Sequence, residues 1–555
     1  MILKPCLLDR TDVPIVEISE GRARNKVVFI GEPPPKEVVE FFDGFDYKLE
    51  PFSPADLNKA GALALVDSVV ISQDATQPSR ILRELELCAS SFLNNDCRIY
   101  VRPATGPRIE VVSRRMVVNA IDTLELPPAG LSDEEEKSLG DWYKSVQKSP
   151  LTPFVYVCKL AEADWHSIAR RIRNNPSGPA PNMDLTVNTY DKRGQNIPLL
   201  GCEELLIRRA FWDCAVLQME QMREGLSGVA AYRVYAELAK GNPGLSPYLY
   251  FLKIGDRQKI TTEFDNYRSN ALEYVPFHLG PRLRPGRCCL GAHQGVLVGD
   301  FVNNAELLRD AARDGRATHA IANLFNVTLH AWEQLGAVED YSIQDRYAKD
   351  FPESVPTRCT KRFASHGIAP DLASVKRLFM ECATRGLLAG PIHGDLNANN
   401  ILVRSADAIL IDFEKMASGG PLLFDAASLE AALLVEGFGR DKRDFDVWKA
   451  SIEPLYVSGV FLDDRLPRCR VSDPSKWFYD CVRQIRQHAR QLEARPGQYA
   501  VMLAMILIRK SCNDHNFDTE HEKNERHRAA AYVFGKQILV ACHQRLNPPP
   551  NDAES

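Results

Sequence analysis

The sequence predicts a mixed α/β and α+β protein, in which a parallel-sheet domain precedes a larger body of two lobes. Short apolar runs alternate with amphipathic stretches from residue 26 to 126, a pattern typical of parallel strands joined by helices. From Gly201 onward, a few strand-like runs are followed by many helical stretches. Because 555 residues exceed what one hydrophobic core supports, two or three domains are expected.

The expected domains are defined by these changes in pattern. The N-terminal domain is assigned to residues 1–126, a linker or small connecting region to 127–200, the larger domain to 201–548 and a disordered tail to 549–555.

The first domain is expected to contain strands at 26–30, 64–71 and 98–101 and helices at 35–42 and 79–92. This layout resembles a small receiver-like, or flavodoxin-like, domain. Such a domain needs acidic residues after its first strand to hold a metal, and this chain has Gly31-Glu32-Pro33-Pro34-Pro35 there. Asp74 is the nearest candidate for a phosphorylated aspartate. Without the acidic pair, we expect a degenerate domain that regulates, binds a partner or self-associates.

Composition and charge exclude several classes of function. The net charge of -5 provides no overall basic field for nucleic acid or an anionic membrane. The longest apolar run, Tyr499–Ile508, is about half the length needed to cross a bilayer and predicts a buried helix. The first residues lack a secretory pattern, so a cytoplasmic protein without membrane attachment is expected.

The motif His393-x-Asp395-x4-Asn400 precedes the run Ile409-Leu410-Ile411-Asp412-Phe413-Glu414 by a short distance. Phosphoryl transfer requires a carboxylate that orients or accepts the proton of the attacking hydroxyl, and oxygen ligands for magnesium. Two apolar runs separated by a polar turn lie between these motifs and predict a hairpin. The hairpin would bring both motifs to one site.

Together, His-Gly-Asp-Leu-x-x-x-Asn and Ile-Asp-Phe-Glu resemble motifs of the aminoglycoside phosphotransferase and choline kinase-like families. The resemblance implies a protein-kinase-like fold over residues 201–545 that binds ATP, or GTP, with Mg2+. It also implies that Asp395 is the catalytic base, that Asn400 and Asp412 bind the metal, and that His393 braces the loop. Asp425 resembles the structural aspartate that follows the metal loop. The general pattern also resembles the ternary complex associated domains.

A small lobe must then lie upstream. Lys253, in the apolar strand 248–254, is placed to reach the nucleotide phosphates, and Glu263 is its expected ion-pair partner. In the alternative interpretation, Lys253 is a solvated strand end and Glu263 forms only a helical pair with Lys259.

Two further segments are assigned to the nucleotide. Backbone N–H groups of a Gly/Ser turn are expected to hold phosphate oxygens. A hinge after the run 295–298 is expected to contact adenine. The residues of these two segments are Gly225, Ser227 and Gly228 in the turn and Asp300 and Val302 in the hinge.

The acceptor is expected to be a small molecule or another non-peptide compound. Gly394 replaces the arginine that many protein kinases use to bind a phosphorylated activation loop, and only thirteen positions separate Asp412 from Asp425. Two alternatives remain open: a kinase that modifies a macromolecule as a toxin or defence effector, and a nucleotide-binding pseudokinase.

Overall fold

The computed structural model describes most of the larger domain and parts of the N-terminal third. The described residues are 26–31, 33–44, 47–53, 56, 66–72, 98–102, 155–157, 165–174, 181–199, 201–222, 229–239, 248–290, 294–364, 366–436, 445–457, 466–470, 472–512 and 525–546. The chain divides into two compact units, Met1–Thr261 with Leu283–Phe301, and Thr262–Arg282 with Val302–Ser555.

Five parallel strands form the first sheet, in the order β2-β1-β3-β4-β5. The bounds of this part are β1 Lys26–Ile30, α1 Lys36–Asp43, β2 Lys48–Pro51, β3 Val66–Ser72, β4 Arg98–Arg102, β5 Val155–Val157 and α2 Trp165–Asn174. Val38 and Phe42 of α1 and Trp165 of α2 share one core with Val27 and Val70 of the sheet.

The predicted parallel sheet is present, but it extends beyond residue 126. Strand β5 and helix α2 lie within the stretch expected to be a linker. Strand β5 lies in the apolar run 154–158, and a short continuous run of this kind does not by itself distinguish a strand from a buried helix. The predicted helix at 79–92 and the candidate Asp74 lie outside the described residues.

Six strands form the second sheet, in the order β10-β11-β9-β8-β7-β6. The bounds are β6 Thr186–Tyr190, α3 Gly201–Ala210, β7 Cys214–Gln221, β8 Ala230–Leu238, β9 Tyr248–Asp256, β10 Cys289–Leu290 and β11 Gln294–Asp300. All neighbouring strands are antiparallel except β6 and β7. One face packs into a core with α3, through residues such as Ile207, Leu252 and Val296.

Two small sheets in the second unit flank residues 393–400, the predicted catalytic loop. Their strand orders are β12-β15-β16 and β13-β14-β17. The bounds are β12 Glu306–Leu307, β13 Ala337–Glu339, β14 Leu387–Ile392, β15 Ile401–Arg404, β16 Asp407–Leu410 and β17 Ala417–Pro421. Strands β15 and β16 form the hairpin that the sequence predicts, and the loop connects β14 to β15.

The rest of the second unit is mostly helical, as predicted. Helix α4 (Arg257–Asn266) spans the boundary of the two units and continues into a π-helix, Tyr267–Ala271. The other helices are α5 Leu308–Arg313, α6 Thr318–Asn323, a π-helix Leu324–Thr328, α7 His330–Gln334, α8 Ile343–Tyr347, α9 Thr357–Ala364, α10 Leu372–Glu381, α11 Leu423–Glu436, α12 Phe445–Ile452, α13 Lys476–Ala489, α14 Gln498–Cys512 and α15 Glu525–Leu546.

Helix α14 contains the longest apolar run and is buried along nearly its whole length, which confirms the predicted buried helix. Among the described residues, no helix combines the length and the apolar character that a membrane span requires. The helix packs against α15 and α11.

A buried ion pair joins two helices of this core. The guanidinium of Arg486 on α13 donates to both carboxylate oxygens of Glu430 on α11, at 2.9 and 2.6 Å. The hydroxyl of Tyr499 on α14 donates to the same carboxylate at 2.7 Å. Because a buried charge is costly unless it is paired, these contacts fix α11 relative to its neighbours.

Candidate active site

Asp425 holds the start of the predicted catalytic loop. Its carboxylate lies in the first turn of α11 and accepts hydrogen bonds from the backbone N–H groups of His393 (2.6 Å) and Gly394 (3.0 Å). Burial raises the pKa of Asp425, while the hydrogen bonds from the two N–H groups oppose that rise. The helix N-terminus also favours a negative charge here. Asp425 therefore ties the catalytic loop to the buried helix α11.

Gly394 is one of the points at which the catalytic loop touches the metal loop, residues 412–416. Its φ is 76°, in the left-handed region. A Cβ atom on this residue would lie 2.1 Å from the carbonyl oxygen of Lys415, far inside van der Waals contact. The arginine found here in many protein kinases would not fit, so the glycine is required by the local packing.

The side chain of Asn400 is held by the backbone of Asp395. The Nδ2 of Asn400 donates to the Asp395 carbonyl at 2.9 Å, and the Nδ2 of Asn397 donates to the same oxygen at 3.2 Å. Because the amide nitrogen of Asn400 is used in this way, its Oδ1 is directed elsewhere. The loop thus fixes Asn400 beside Asp395.

Ile411 joins the two predicted motifs. Its N–H donates to the carbonyl of Asn400 at 3.0 Å, and its own carbonyl lies 3.0 Å from Nε2 of His393. Since a carbonyl only accepts, Nε2 carries the proton in this bond. The predicted brace is therefore a direct contact between His393 and the residue before Asp412.

Asp412 begins the metal loop in an uncommon backbone conformation. Its φ is 67°, and a non-glycine residue with such a value costs about 1–2 kcal/mol. The next residue, Phe413, is buried between the rings of His393 (centroids 5.7 Å apart) and Tyr267 (5.9 Å). Burial of the Phe413 ring stabilises the loop and so offsets this cost.

Lys415 places a positive charge next to Asp395. Its Nζ lies 3.5 Å from Oδ2 of Asp395, and the two side chains are 64% and 38% exposed. Exposed ion pairs of this kind contribute little to folding stability, so the main effect of Lys415 is on the local charge around Asp395.

Asn400 and Asp412, the predicted metal ligands, have side chains of the kind that bind magnesium. Both offer oxygen atoms, the ligands that this cation prefers, and Mg2+ takes one or two protein carboxylates together with substrate phosphates. Among the described residues, no group of three or more His, Cys, Asp or Glu side chains is arranged to hold a metal ion by itself.

Lys253 lies in the middle of β9, on the face of the second sheet opposite its core. Its neighbours Leu252 and Ile254 belong to that core, and successive side chains of a strand alternate between faces. Across the sheet it pairs with Ala231 of β8 and Leu297 of β11. Lys253 is 8% exposed, so the interpretation of a solvated strand end is wrong.

Glu263 lies on α4 and is 4% exposed. A carboxylate buried to this extent is stable only with a charged or hydrogen-bonding partner. Its pairing with Lys253 stays a prediction, beside the alternative of a helical pair with Lys259.

The segment expected to contact adenine lies where β11 ends. The carboxylate of Asp300 pairs with Arg284 through two hydrogen bonds of 2.7 and 2.9 Å, and Val302 begins the next stretch of the second unit. The side chain of Asp300 is thus engaged by Arg284, and the adenine contact stays a prediction. The turn with Gly225, Ser227 and Gly228 lies outside the described residues.

The sequence did not reveal two residues that contact the site, Lys415 and Asn266. Lys415 stands three positions after Asp412, a spacing that offers a weak signal. Asn266 donates to backbone carbonyls 147 and 148 positions away, and such bonds leave no trace in residue types.

Residues 364–492 match the family model described as Ternary complex associated domain 9. This range includes the catalytic loop and the metal loop, so the predicted resemblance to that group is confirmed for this part of the chain. The search of curated proteins found no match.

Solved structures similar to this chain include small-molecule kinases. An amicoumacin kinase, hAmiN, in complex with AMP-PNP, Ca2+ and Ami is 11% identical, with 58% of this chain and 88% of that chain covered and a TM-score of 0.33. A thermostable mutant of aminoglycoside phosphotransferase APH(4)-Ia with ADP and hygromycin B is 12% identical (58% and 93% covered, TM-score 0.33). A choline/ethanolamine kinase family protein from Mesorhizobium loti is 12% identical (59% and 92% covered, TM-score 0.32).

At such identities and TM-scores these similarities carry no argument about this chain, whose activity has to be argued from its own residues.

Proposed function

We propose that this protein is a magnesium-dependent phosphotransferase. It transfers the γ-phosphoryl group of ATP, or GTP, to a hydroxyl of a small molecule or another non-peptide acceptor. The observation that carries the proposal is the double hydrogen bonding of Ile411, which joins the loop of Asp395 and Asn400 to the loop of Asp412. A base for the proton of the acceptor hydroxyl and two oxygen ligands for a cation thereby belong to loops that are hydrogen-bonded to each other.

Each residue has a distinct role in the proposed reaction. Asp395 orients the attacking hydroxyl and accepts its proton, while Asn400 and Asp412 hold the cation. When bound there, Mg2+ would neutralise the negative charge of the nucleotide phosphates. Lys253 binds the nucleotide phosphates, with Glu263 as its counter-charge.

The backbone at Asp412 supports its role as a ligand. Glycine would adopt a φ of 67° without the steric cost, yet the chain has an aspartate there. Residues held in such conformations concentrate at functional sites. A required carboxylate explains the choice of residue.

The short path from Asp412 to Asp425 supports a non-peptide acceptor. Strand β17 occupies Ala417–Pro421 of this segment and pairs with β14, and α11 begins at Leu423. Little chain is left to form the long segment with which protein kinases dock a peptide.

The N-terminal domain is proposed to be receiver-like and to regulate the transferase or bind a partner. The strand order β2-β1-β3-β4-β5 in an all-parallel sheet is that of flavodoxin-like domains and supports this assignment.

The proposal is tested by transfer of label from γ-labelled ATP, and separately GTP, in a cell extract with Mg2+. We expect label in a small-molecule fraction with the wild-type protein and none above background with Asp395→Asn. Label confined to protein or nucleic acid would refute the small-molecule acceptor. Equal labelling by wild type and Asp395→Asn would refute the assignment of the site.

A further inference from the structure

Asn266, at the end of α4, contacts the metal loop directly. Its Nδ2 donates to the carbonyl of Phe413 at 2.9 Å and to the carbonyl of Glu414 at 3.1 Å. These carbonyls belong to the first two residues after Asp412. One side chain therefore fixes the backbone on which the proposed metal ligand stands.

A second contact at the same helix end is aromatic. Tyr267 follows Asn266 and packs against Phe413, with ring centroids 5.9 Å apart. Tyr267 also starts the π-helix, whose wider turn is closed by a hydrogen bond from the N–H of Leu272 to the Tyr267 carbonyl (2.8 Å). Short π-helical turns within α-helices are frequent at functional sites.

The π-helix is itself anchored to the body of the unit. Nε1 of the buried Trp332 donates to the carbonyl of Asn270 at 2.8 Å. The segment that presents Asn266 and Tyr267 is thus held at its far end, so the metal loop contacts an ordered surface.

Helix α4 also carries Glu263, three positions before Asn266. Residues three apart on a helix share a face. We propose that Asn266 is a positioning residue: it couples the helix that carries Glu263 to the loop that carries Asp412, and so sets the affinity of the site for Mg2+-nucleotide. This inference rests on the proposed function of the site.

Two variants, Asn266→Ala and Asn266→Asp, test the inference. Asn266→Asp keeps the shape of the side chain but replaces the N–H donor by a carboxylate, which repels the carbonyls of Phe413 and Glu414. Asn323→Ala is the matched control, because it also removes an asparagine side chain that donates to a backbone carbonyl. Nδ2 of Asn323 donates to the Ala406 carbonyl (2.9 Å), in the turn between β15 and β16 and outside the metal loop. Two quantities are measured on the full chain: the dissociation constant of ADP with Mg2+ by calorimetry, and hydrogen exchange of amides 412–416 without nucleotide.

We expect both Asn266 variants to weaken Mg2+-ADP binding about tenfold or more and to speed exchange at 412–416, with Asn323→Ala like wild type in both. Wild-type exchange at 412–416 in both Asn266 variants would overturn the inference, as would equal losses in Asn323→Ala. If wild type binds no Mg2+-ADP, the proposed function fails, and the exchange data still decide whether Asn266 positions the loop.

Discussion

At the scale of single residues, the candidate site contains two residues with a left-handed backbone conformation, Gly394 and Asp412, and the reason for the residue type differs between them. Gly394 has no side chain because the carbonyl oxygen of Lys415 occupies the space where one would be. Asp412 has a side chain in spite of its φ of 67°, because that carboxylate is the proposed metal ligand. Packing accounts for the glycine at the first position, and the proposed metal ligand accounts for the aspartate at the second.

Gly394→Ala is predicted to disrupt the site far more than its size implies. The added methyl group strikes the Lys415 carbonyl, so the catalytic and metal loops must separate, and turnover should fall by about a hundredfold or more. Gly367→Ala is the matched control, since Gly367 also has a positive φ, 64°, with open space around it. It should cost about 1 kcal/mol of stability and leave turnover unchanged. Equal turnover in the two variants would contradict this reading of the contact.

Among the elements, the β15–β16 hairpin does most to assemble the site. Asn323 and Thr328 donate to carbonyls near its turn, at 2.9 and 2.8 Å, while Asn400 and Ile411 meet at its open end. The hairpin was predictable because its two apolar runs and polar turn are local in sequence. Its anchors were not, since they join side chains to backbone carbonyls about eighty positions away.

In the turn of this hairpin, glycine substitutions at two adjacent positions are predicted to have opposite effects on stability. Ser405 has a φ of 59°, which favours glycine, whereas the φ of Ala406 is not positive. Ser405→Gly should therefore stabilise the hairpin by about 0.5–1 kcal/mol and Ala406→Gly destabilise it by a similar amount. Hydrogen exchange of the amides in Ile401–Leu410 measures this local stability. Destabilisation by Ser405→Gly would show that its side chain matters more than its φ.

At the scale of the whole molecule, the sequence predicted the order of the sheets and helices along the chain better than it predicted where the domains begin and end. The parallel sheet, the helix-rich second unit and the buried helix α14 follow from long periodic patterns. Strand β5 did not, because the short apolar run 154–158 has no alternation that distinguishes a strand from a buried helix. Motif spacing led to the proposed site residues Asp395, Asn400 and Asp412. Asn266 and Lys415 became visible only through contacts between segments distant in sequence.

The most direct test of the central claim is nucleotide binding and turnover, measured on the same samples of wild type, Asp395→Asn and Asp412→Asn, with Mg2+ and after its removal by a chelator. We predict that Asp395→Asn binds Mg2+-ATP about as well as wild type and loses turnover by about 10²–10⁴-fold. Asp412→Asn should weaken Mg2+-dependent binding about tenfold or more. Turnover at the wild-type rate in Asp395→Asn, or nucleotide binding by wild type that is indifferent to Mg2+, would contradict the account.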